Sequence, residues 1–276
     1  MNKALYIHQA RGLEVRRDGP SLIIREPDKA DRRIPARIIS NVVVIGNVRM
    51  DAGMVALCAE QGVPITFICS RGKAIAVALP YEYRLPRHHP KQRIFMESES
   101  NRRKFELWLR ANVRRLTMVC VHNLTGRHQE AYSERPEHEP RAVDYAYLVK
   151  QLERTWPAQS RIVREVIDQL FQETIMSVLL ANGLDPHVGI IHRYRNLGLV
   201  EDLRVFFRPE ADYQAVCFFQ EVENHEWFDL DDDGYQLRRN GLFAIVERFE
   251  SRRESIVYVA ERLTEQMLRM FGSSVG

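Results

Sequence analysis

The sequence predicts an α+β protein, in which an N-terminal β-rich domain is followed by a C-terminal α-helical bundle domain. Up to about residue 80, short β-branched or alternating runs are separated by turn signals, as at residues 17–20 and 70–73. From residue 97 onward, apolar residues recur at helical spacing. This change of period predicts a β-rich domain at residues 1–82, a linker at 83–96 and a helical domain at 97–276.

The β-rich domain is expected to contain one helix among its strands. Asp51 is placed to cap this helix, which continues to about Gln61 and stops at Gly62. The linker prediction rests on residues 81–93, which are basic, contain proline and show no periodicity. The predicted strands cover residues 4–7, 13–16, 21–25, 37–45, 65–68 and 74–78.

The helical domain begins with a helix that has an apolar face and a basic face. The basic face carries Arg103, Arg110, Arg114 and Arg115, and it would suit either a DNA backbone or solvent. A polar, proline-broken loop is expected at residues 126–141, and periodicity does not decide between helix and strand at 213–220. Further helices are predicted at about residues 142–155, 160–182 and 241–271.

One stretch, residues 183–209, concentrates the candidate chemistry. Gly183 follows a long helical run, and glycine readily adopts the left-handed conformation that ends a helix. Asp185 and Pro186 then predict the start of a new helix, with His192 about two turns into it. His192 is either a functional group or a core histidine bonded to a backbone carbonyl.

Composition sets limits on the class of protein. The chain has 276 residues and a formal charge of +3, which is too small to establish a polyanionic partner. Most of its basic residues are arginine, the side chain that binds phosphate in a bidentate manner. The cysteines are scattered without metal-ligand spacing, and no apolar run is long enough to span a membrane. We therefore expect a cytoplasmic protein without a membrane partner.

Two motifs in residues 183–209 carry a family resemblance. GLDPHVGIIH fits the pattern GLDP-x-x-G-x-x-H. LVEDLRVFFRP matches SLV-x-DL-x-E-x-FRP at Leu199, Val200, Asp202, Leu203, Phe207, Arg208 and Pro209. The segment IPARIISNVVVIGNVRMDAGMVALCAEQGVPITFICSRGK adds a β-rich pattern of the same family. In these motifs the chain resembles the CRISPR-associated spacer-acquisition integrase and endonuclease family.

The resemblance implies an enzyme of prokaryotic antiviral defence. Members of that family have a β domain and a helical domain, form homodimers, and act with a small CRISPR-associated adaptation protein. They bind double-stranded or branched DNA and insert spacer DNA into a repeat array. The family's chemistry uses a divalent metal, Mg²⁺ or Mn²⁺, to promote attack of a DNA 3′-hydroxyl on a phosphodiester.

The same resemblance assigns the site residues. It implies that His192, a helix glutamate and an acid three residues after Asp202 hold the metal, and Asp202 is a further candidate for the catalytic and metal-binding set. Glu139 is the candidate glutamate, with Glu130 as the alternative. At the position where the family has a further carboxylate this chain has Val205, and Glu201, one helical turn earlier, is the candidate replacement.

Three roles stay open at the level of sequence. Asp202 is either a ligand or a charge at a helix N-terminus, and Arg208 either binds a DNA phosphate or pairs with a structural carboxylate. The whole chain is either a metal-dependent DNA integrase and endonuclease or a degenerate relative. In the degenerate case it would keep DNA binding and act as a scaffold or non-catalytic subunit.

Overall fold

The computed structural model describes residues 3–69, 74–79, 86–127, 142–220, 227–231 and 234–272. The chain divides into two compact units, Met1–Arg84 and Leu85–Gly276. The first contains the strands that precede residue 80, and the second contains six helices within its described part. This arrangement confirms the predicted α+β class.

The first unit contains two four-stranded sheets. The strands are β1 (Lys3–His8), β2 (Glu14–Asp18), β3 (Ser21–Arg25), β4 (Arg32–Pro35), β5 (Ile39–Ile45), β6 (Arg49–Met50), β7 (Ile65–Ile68) and β8 (Ala74–Ala78). One sheet has the strand order β1-β5-β7-β8, with β1, β5 and β7 parallel, and the other has the order β4-β3-β2-β6. Apolar residues such as Val15, Leu22 and Val44 form the buried core of this unit.

All six predicted strands and the predicted helix are present in this unit. Helix α1 spans Ala52–Glu60, and the Asp51 carboxylate accepts a bond of 2.6 Å from the Met54 N–H, as expected of an N-cap. Gly62 follows with φ +70°, which a residue with a side chain rarely adopts. Strands β4 and β6 were not predicted because they are short and lack an alternating apolar pattern.

The second unit is a helical bundle with one small hairpin. The helices are α2 (His89–Glu97), α3 (Glu99–Arg127), α4 (Ala142–Thr155), α5 (Pro157–Ala181), α6 (Gly198–Gln220) and α7 (Arg239–Gly272). The central helix α5 packs against α6 and α7, and the Phe171 ring of α5 lies 5.1 Å from the rings of both Phe207 and Phe249. Strands β9 (Phe228–Asp231) and β10 (Gly234–Leu237) form the antiparallel hairpin.

Two sequence predictions are wrong in this unit. The predicted linker at residues 83–96 is largely helix α2, because its apolar residues Phe95 and Met96 are buried and Pro90 occupies the first turn, where proline is tolerated. Asp185 and Pro186 do not start a helix. Residues 184–197 form consecutive turns, and α6 begins only at Gly198 and includes the ambiguous residues 213–220.

Candidate functional site

The turns before α6 hold His192 in place through close backbone packing. A Cβ atom at Gly198 would lie 2.4 Å from the His192 carbonyl oxygen, and one at Gly189 would lie 2.7 Å from the same atom. Real Cβ atoms essentially never come so close to other heavy atoms. Glycine at both positions therefore lets the His192 segment lie directly on the first turn of α6.

Asp202, which lies on α6, binds the segment that contains His192 through hydrogen bonds. Its carboxylate accepts hydrogen bonds from the backbone N–H groups of Ile190 at 2.6 Å, Ile191 at 3.1 Å and His192 at 3.0 Å. A fourth bond of 2.7 Å joins it to Nδ1 of the His192 ring. The side chain is 0% exposed, so these donors replace its hydration. Burial raises the pKa of the Asp202 carboxyl, and the N–H donors oppose that rise.

The bond to Asp202 also fixes which nitrogen of His192 remains for a ligand. A carboxylate only accepts hydrogen bonds, so Nδ1 carries the hydrogen and Nε2 keeps its lone pair in the neutral ring. His192 lines a cavity of about 390 Å³. The His192 ring thus lies at this cavity with its Nδ1 bonded to the Asp202 carboxylate.

One face of α6 supplies most of the charged lining of this cavity. Glu201, Arg204, Val205 and Arg208 all line it, because residues three and four apart share a helix face. Arg204 donates to the Glu201 carboxylate at 2.7 Å and pairs with Asp168 of α5 at 3.2 Å. Val205 contributes only methyl groups.

Two of the lining residues, Tyr145 and Arg208, contact a further acid, Asp212, which also pairs with an arginine. Asp212, which is 3% exposed, accepts a bond of 2.5 Å from the Tyr145 hydroxyl and lies 3.0 Å from Arg164 and 3.4 Å from Arg208. Burial raises the pKa of Asp168, and Arg204 and Arg208 oppose that rise. Burial and the Asp212 carboxylate raise the pKa of the Tyr145 phenol.

A divalent metal requires two or three free hard ligands at one point. In the part of the chain that the structure describes, no group of three His, Cys, Asp or Glu side chains could hold a metal ion. Both Asp202 oxygens accept N–H bonds, and Glu201 and Asp168 pair with Arg204. Glu139 and Glu130 lie outside the described residues. The described residues thus do not fit the metal that the sequence motifs imply.

The predicted basic face of α3 is present next to the cavity. Arg103, Arg110, Arg114 and Arg115 are exposed, as predicted. Arg110 and Arg114 line a neighbouring cavity of about 380 Å³, which shares Val113 and Val205 with the His192 cavity. A cationic surface thus adjoins the histidine.

Sequence reasoning missed Asp168, Arg204 and Tyr145, which line the cavity with His192. Arg204 could have been found from its position three residues after Glu201, the spacing of a helical ion pair. Asp168 and Tyr145 lie on other helices, and no local pattern brings them to α6. Arg208, which sequence left between two roles, is 61% exposed at the cavity while also pairing with Asp212.

These features define a class of protein. In the helical unit, a buried carboxylate orients a histidine next to a row of arginines, an arrangement suited to binding a nucleic-acid backbone. The family model described as CRISPR associated protein Cas1 matches residues 5–157 and 167–251. The chain belongs to this family, which confirms the resemblance carried by the two motifs.

Solved structures show the same fold at low sequence identity. The chain is similar to a casposase bound to integration product, with a TM-score of 0.76, 14% identity, and coverage of 98% of this chain and 91% of that one. It is similar to a CAS1 protein from Thermotoga maritima, with a TM-score of 0.70, 16% identity, and coverage of 99% and 97%. A Cas6-RT-Cas1–Cas2 complex matches with a TM-score of 0.67, 14% identity, and coverage of 99% and 36%.

Two further observations are negative. No curated protein sequence matches this chain. Across the described ranges, no helix combines the length and the apolar character that crossing a bilayer requires.

Proposed function

We propose that this protein binds branched or double-stranded DNA during CRISPR adaptation and serves spacer integration as a non-catalytic subunit. Membership of the Cas1 family supports the role in adaptation. The similar structures of a casposase bound to integration product and of a complex with Cas2 support DNA and a small adaptation protein as partners. The homodimer implied by the sequence motifs and the cytoplasmic location expected from composition remain predictions.

One observation carries the non-catalytic part of the proposal. Val205 occupies the cavity wall where the family has a carboxylate, and the acids beside it, Glu201 and Asp168, are both paired with Arg204. A methyl group cannot coordinate a cation. The described cavity therefore offers His192 without a free carboxylate.

The experiment compares wild type with Val205→Glu on branched DNA and on a repeat-bearing plasmid, each with Mg²⁺ or Mn²⁺. We expect wild type to bind these DNAs without cutting or joining them. Val205→Gln is the matched control, since it has the size of glutamate without its charge. Cutting or joining by wild type, abolished by His192→Ala, would contradict the non-catalytic role.

A second candidate function is the metal-dependent integrase and endonuclease that the motifs imply. The observation that favours it is His192, whose Nδ1 is held by Asp202 so that Nε2 remains for a ligand at the cavity. Glu139 would then complete the site with His192, and a bound Mg²⁺ or Mn²⁺ would stabilise the charge of the reacting phosphate. In this function Glu139→Gln abolishes activity while DNA binding persists.

A further inference from the structure

The arginine row of α6 brings two guanidinium groups to one cavity. Arg204 and Arg208 are four residues apart and line the same cavity as His192. Arg204 already pairs with both acids that could attract a metal, through contacts of 2.7 Å to Glu201 and 3.2 Å to Asp168. A divalent cation would have to displace this guanidinium and would be repelled by Arg208.

Arg208 makes only a long ion pair with a carboxylate that has other partners. Its pair with Asp212 spans 3.4 Å, whereas Asp212 receives the Tyr145 hydroxyl at 2.5 Å and lies 3.0 Å from Arg164. Arg164 also pairs with Glu153 at 2.7 Å. Although burial acts in the opposite direction, Asp212 and Asp168 raise the pKa of Arg208, so its charge persists at all ordinary pH values.

The exposure of these groups points to a ligand that reaches them from solvent. Arg208 is 61% exposed, and the ring of His192 is 25% exposed. Val205, between the two arginines in sequence, is 45% exposed and presents a neutral surface that does not repel an anion. Guanidinium groups bind phosphate oxygens through paired N–H donors, so a phosphate group matches this lining.

We propose that the cavity is a divalent-cation-independent phosphate site, in which Arg204 and Arg208 bind a DNA phosphate beside His192. The inference rests on the proposed function as a DNA-binding protein and identifies the part of the DNA that the cavity receives. It assigns Arg204 a double role, since the same guanidinium that holds Asp168 and Glu201 supplies positive charge where the family's motifs imply a metal.

The test measures binding of a fluorescent branched DNA by wild type, Arg208→Gln and Arg204→Gln, each in EDTA and in Mn²⁺. Wild-type affinity is expected to be equal in EDTA and in Mn²⁺. Arg208→Gln is expected to weaken binding about tenfold, the effect of losing one charge-assisted contact to phosphate. Arg25→Gln is the matched control, because Arg25 is 51% exposed and its carboxylate partner Asp31 lies in the first unit.

A second readout follows the metal alone, by the electron paramagnetic resonance signal of free Mn²⁺ titrated with protein. We expect wild type to leave the free-ion signal unchanged, and Arg204→Gln to reduce it because Asp168 and Glu201 become available. Stoichiometric Mn²⁺ binding by wild type that His192→Ala removes would overturn the inference, as would equal DNA affinity of wild type and Arg208→Gln. Failure of wild type to bind any branched DNA would overturn the proposed function as well.

Discussion

Two histidine–aspartate pairs in the helical unit share a geometry and differ in what surrounds them. His89 of α2 lies 2.7 Å from Asp185, the same distance that separates His192 from Asp202. Asp185 accepts one backbone N–H bond, from His187 at 2.9 Å, whereas Asp202 accepts three. His192 lines a cavity with two arginines. A His–Asp bond alone therefore does not define a functional site.

The His89 pair has a structural role that its neighbours explain. Gln92, which is fully buried, donates to the Asp185 carbonyl at 3.0 Å and accepts from the Asp185 N–H at 2.7 Å. Together with the His89 bond, these contacts attach α2 to the turn after Gly183. The pair thus stabilises a junction between helices. Neither His89 nor Asp185 is among the residues that line the His192 cavity.

The largest expected effect is a loss of stability, and it should be greater for Gly198, beside His192, than for Gly183, beside the His89 pair. Gly198→Ala should destabilise the protein by about 3 kcal/mol or more, because its Cβ would overlap the backbone that carries His192. Gly183→Ala, next to the His89 pair, should cost about 1 kcal/mol, since the strain comes from φ +70° and the nearest atom is 3.3 Å away. Urea unfolding measures both, and a larger loss for Gly183→Ala would contradict the packing argument.

The two aspartates provide the second comparison. Asp202→Asn should lower the free energy of unfolding by about 3 kcal/mol, because the new NH₂ group would face N–H donors in a site that excludes water. Asp185→Asn should cost about 1 kcal/mol, because fewer donors point at it. Thermal and urea unfolding of both variants check the order. Equal losses of stability in the two variants would show that the three N–H bonds to Asp202 add little to the free energy of unfolding.

Replacing the histidines separates stability from binding. His192→Ala and His89→Ala should each cost about 1 kcal/mol of stability, the typical value of one hydrogen bond. Only His192→Ala should weaken binding of branched DNA, because only that ring lines the cavity. Fluorescence anisotropy measures the binding. Weaker binding by His89→Ala at equal stability would remove the distinction between the pairs.

The smallest expected effect concerns the basic face of α3 beside the His192 cavity. Arg114→Ala should weaken DNA affinity equally for all sequences and reduce the salt dependence of binding by about one unit of slope. Arg110→Ala and Arg115→Ala should act in the same way. Affinity measured over a series of salt concentrations tests this, with Arg25→Ala as a control in the other unit. Unchanged slopes for all three would exclude α3 from the DNA interface.

The sequence predicted the elements well because their signals are local. The Asp51 cap, the six strands and the helix Ala142–Thr155 each follow from spacing and from turn residues. The helix predicted after Asp185 and Pro186 does not form because backbone N–H groups that would enter it bond elsewhere. Those of residues 190–192 donate to the Asp202 carboxylate, and the Asp185 side chain bonds to His89, 96 residues away in sequence.

The candidate site was predictable only in its motif residues. His192, Asp202 and the absence of a carboxylate at Val205 are visible in one stretch of sequence. Asp168 and Tyr145 reach the cavity from α5 and α4, and the capture of both acids by Arg204 depends on that packing. The difference between a metal site and an arginine-lined site therefore arises in tertiary structure.

The most direct test of the distinction between the two pairs is nuclear magnetic resonance of the histidine rings, labelled with ¹⁵N, as branched DNA is added in EDTA. We expect the His192 ring signals to shift, starting from the form with hydrogen on Nδ1, while those of His89 stay in place. Histidine-to-alanine variants assign the signals. Unchanged His192 signals with DNA bound, or equal shifts of both rings, would contradict this expectation.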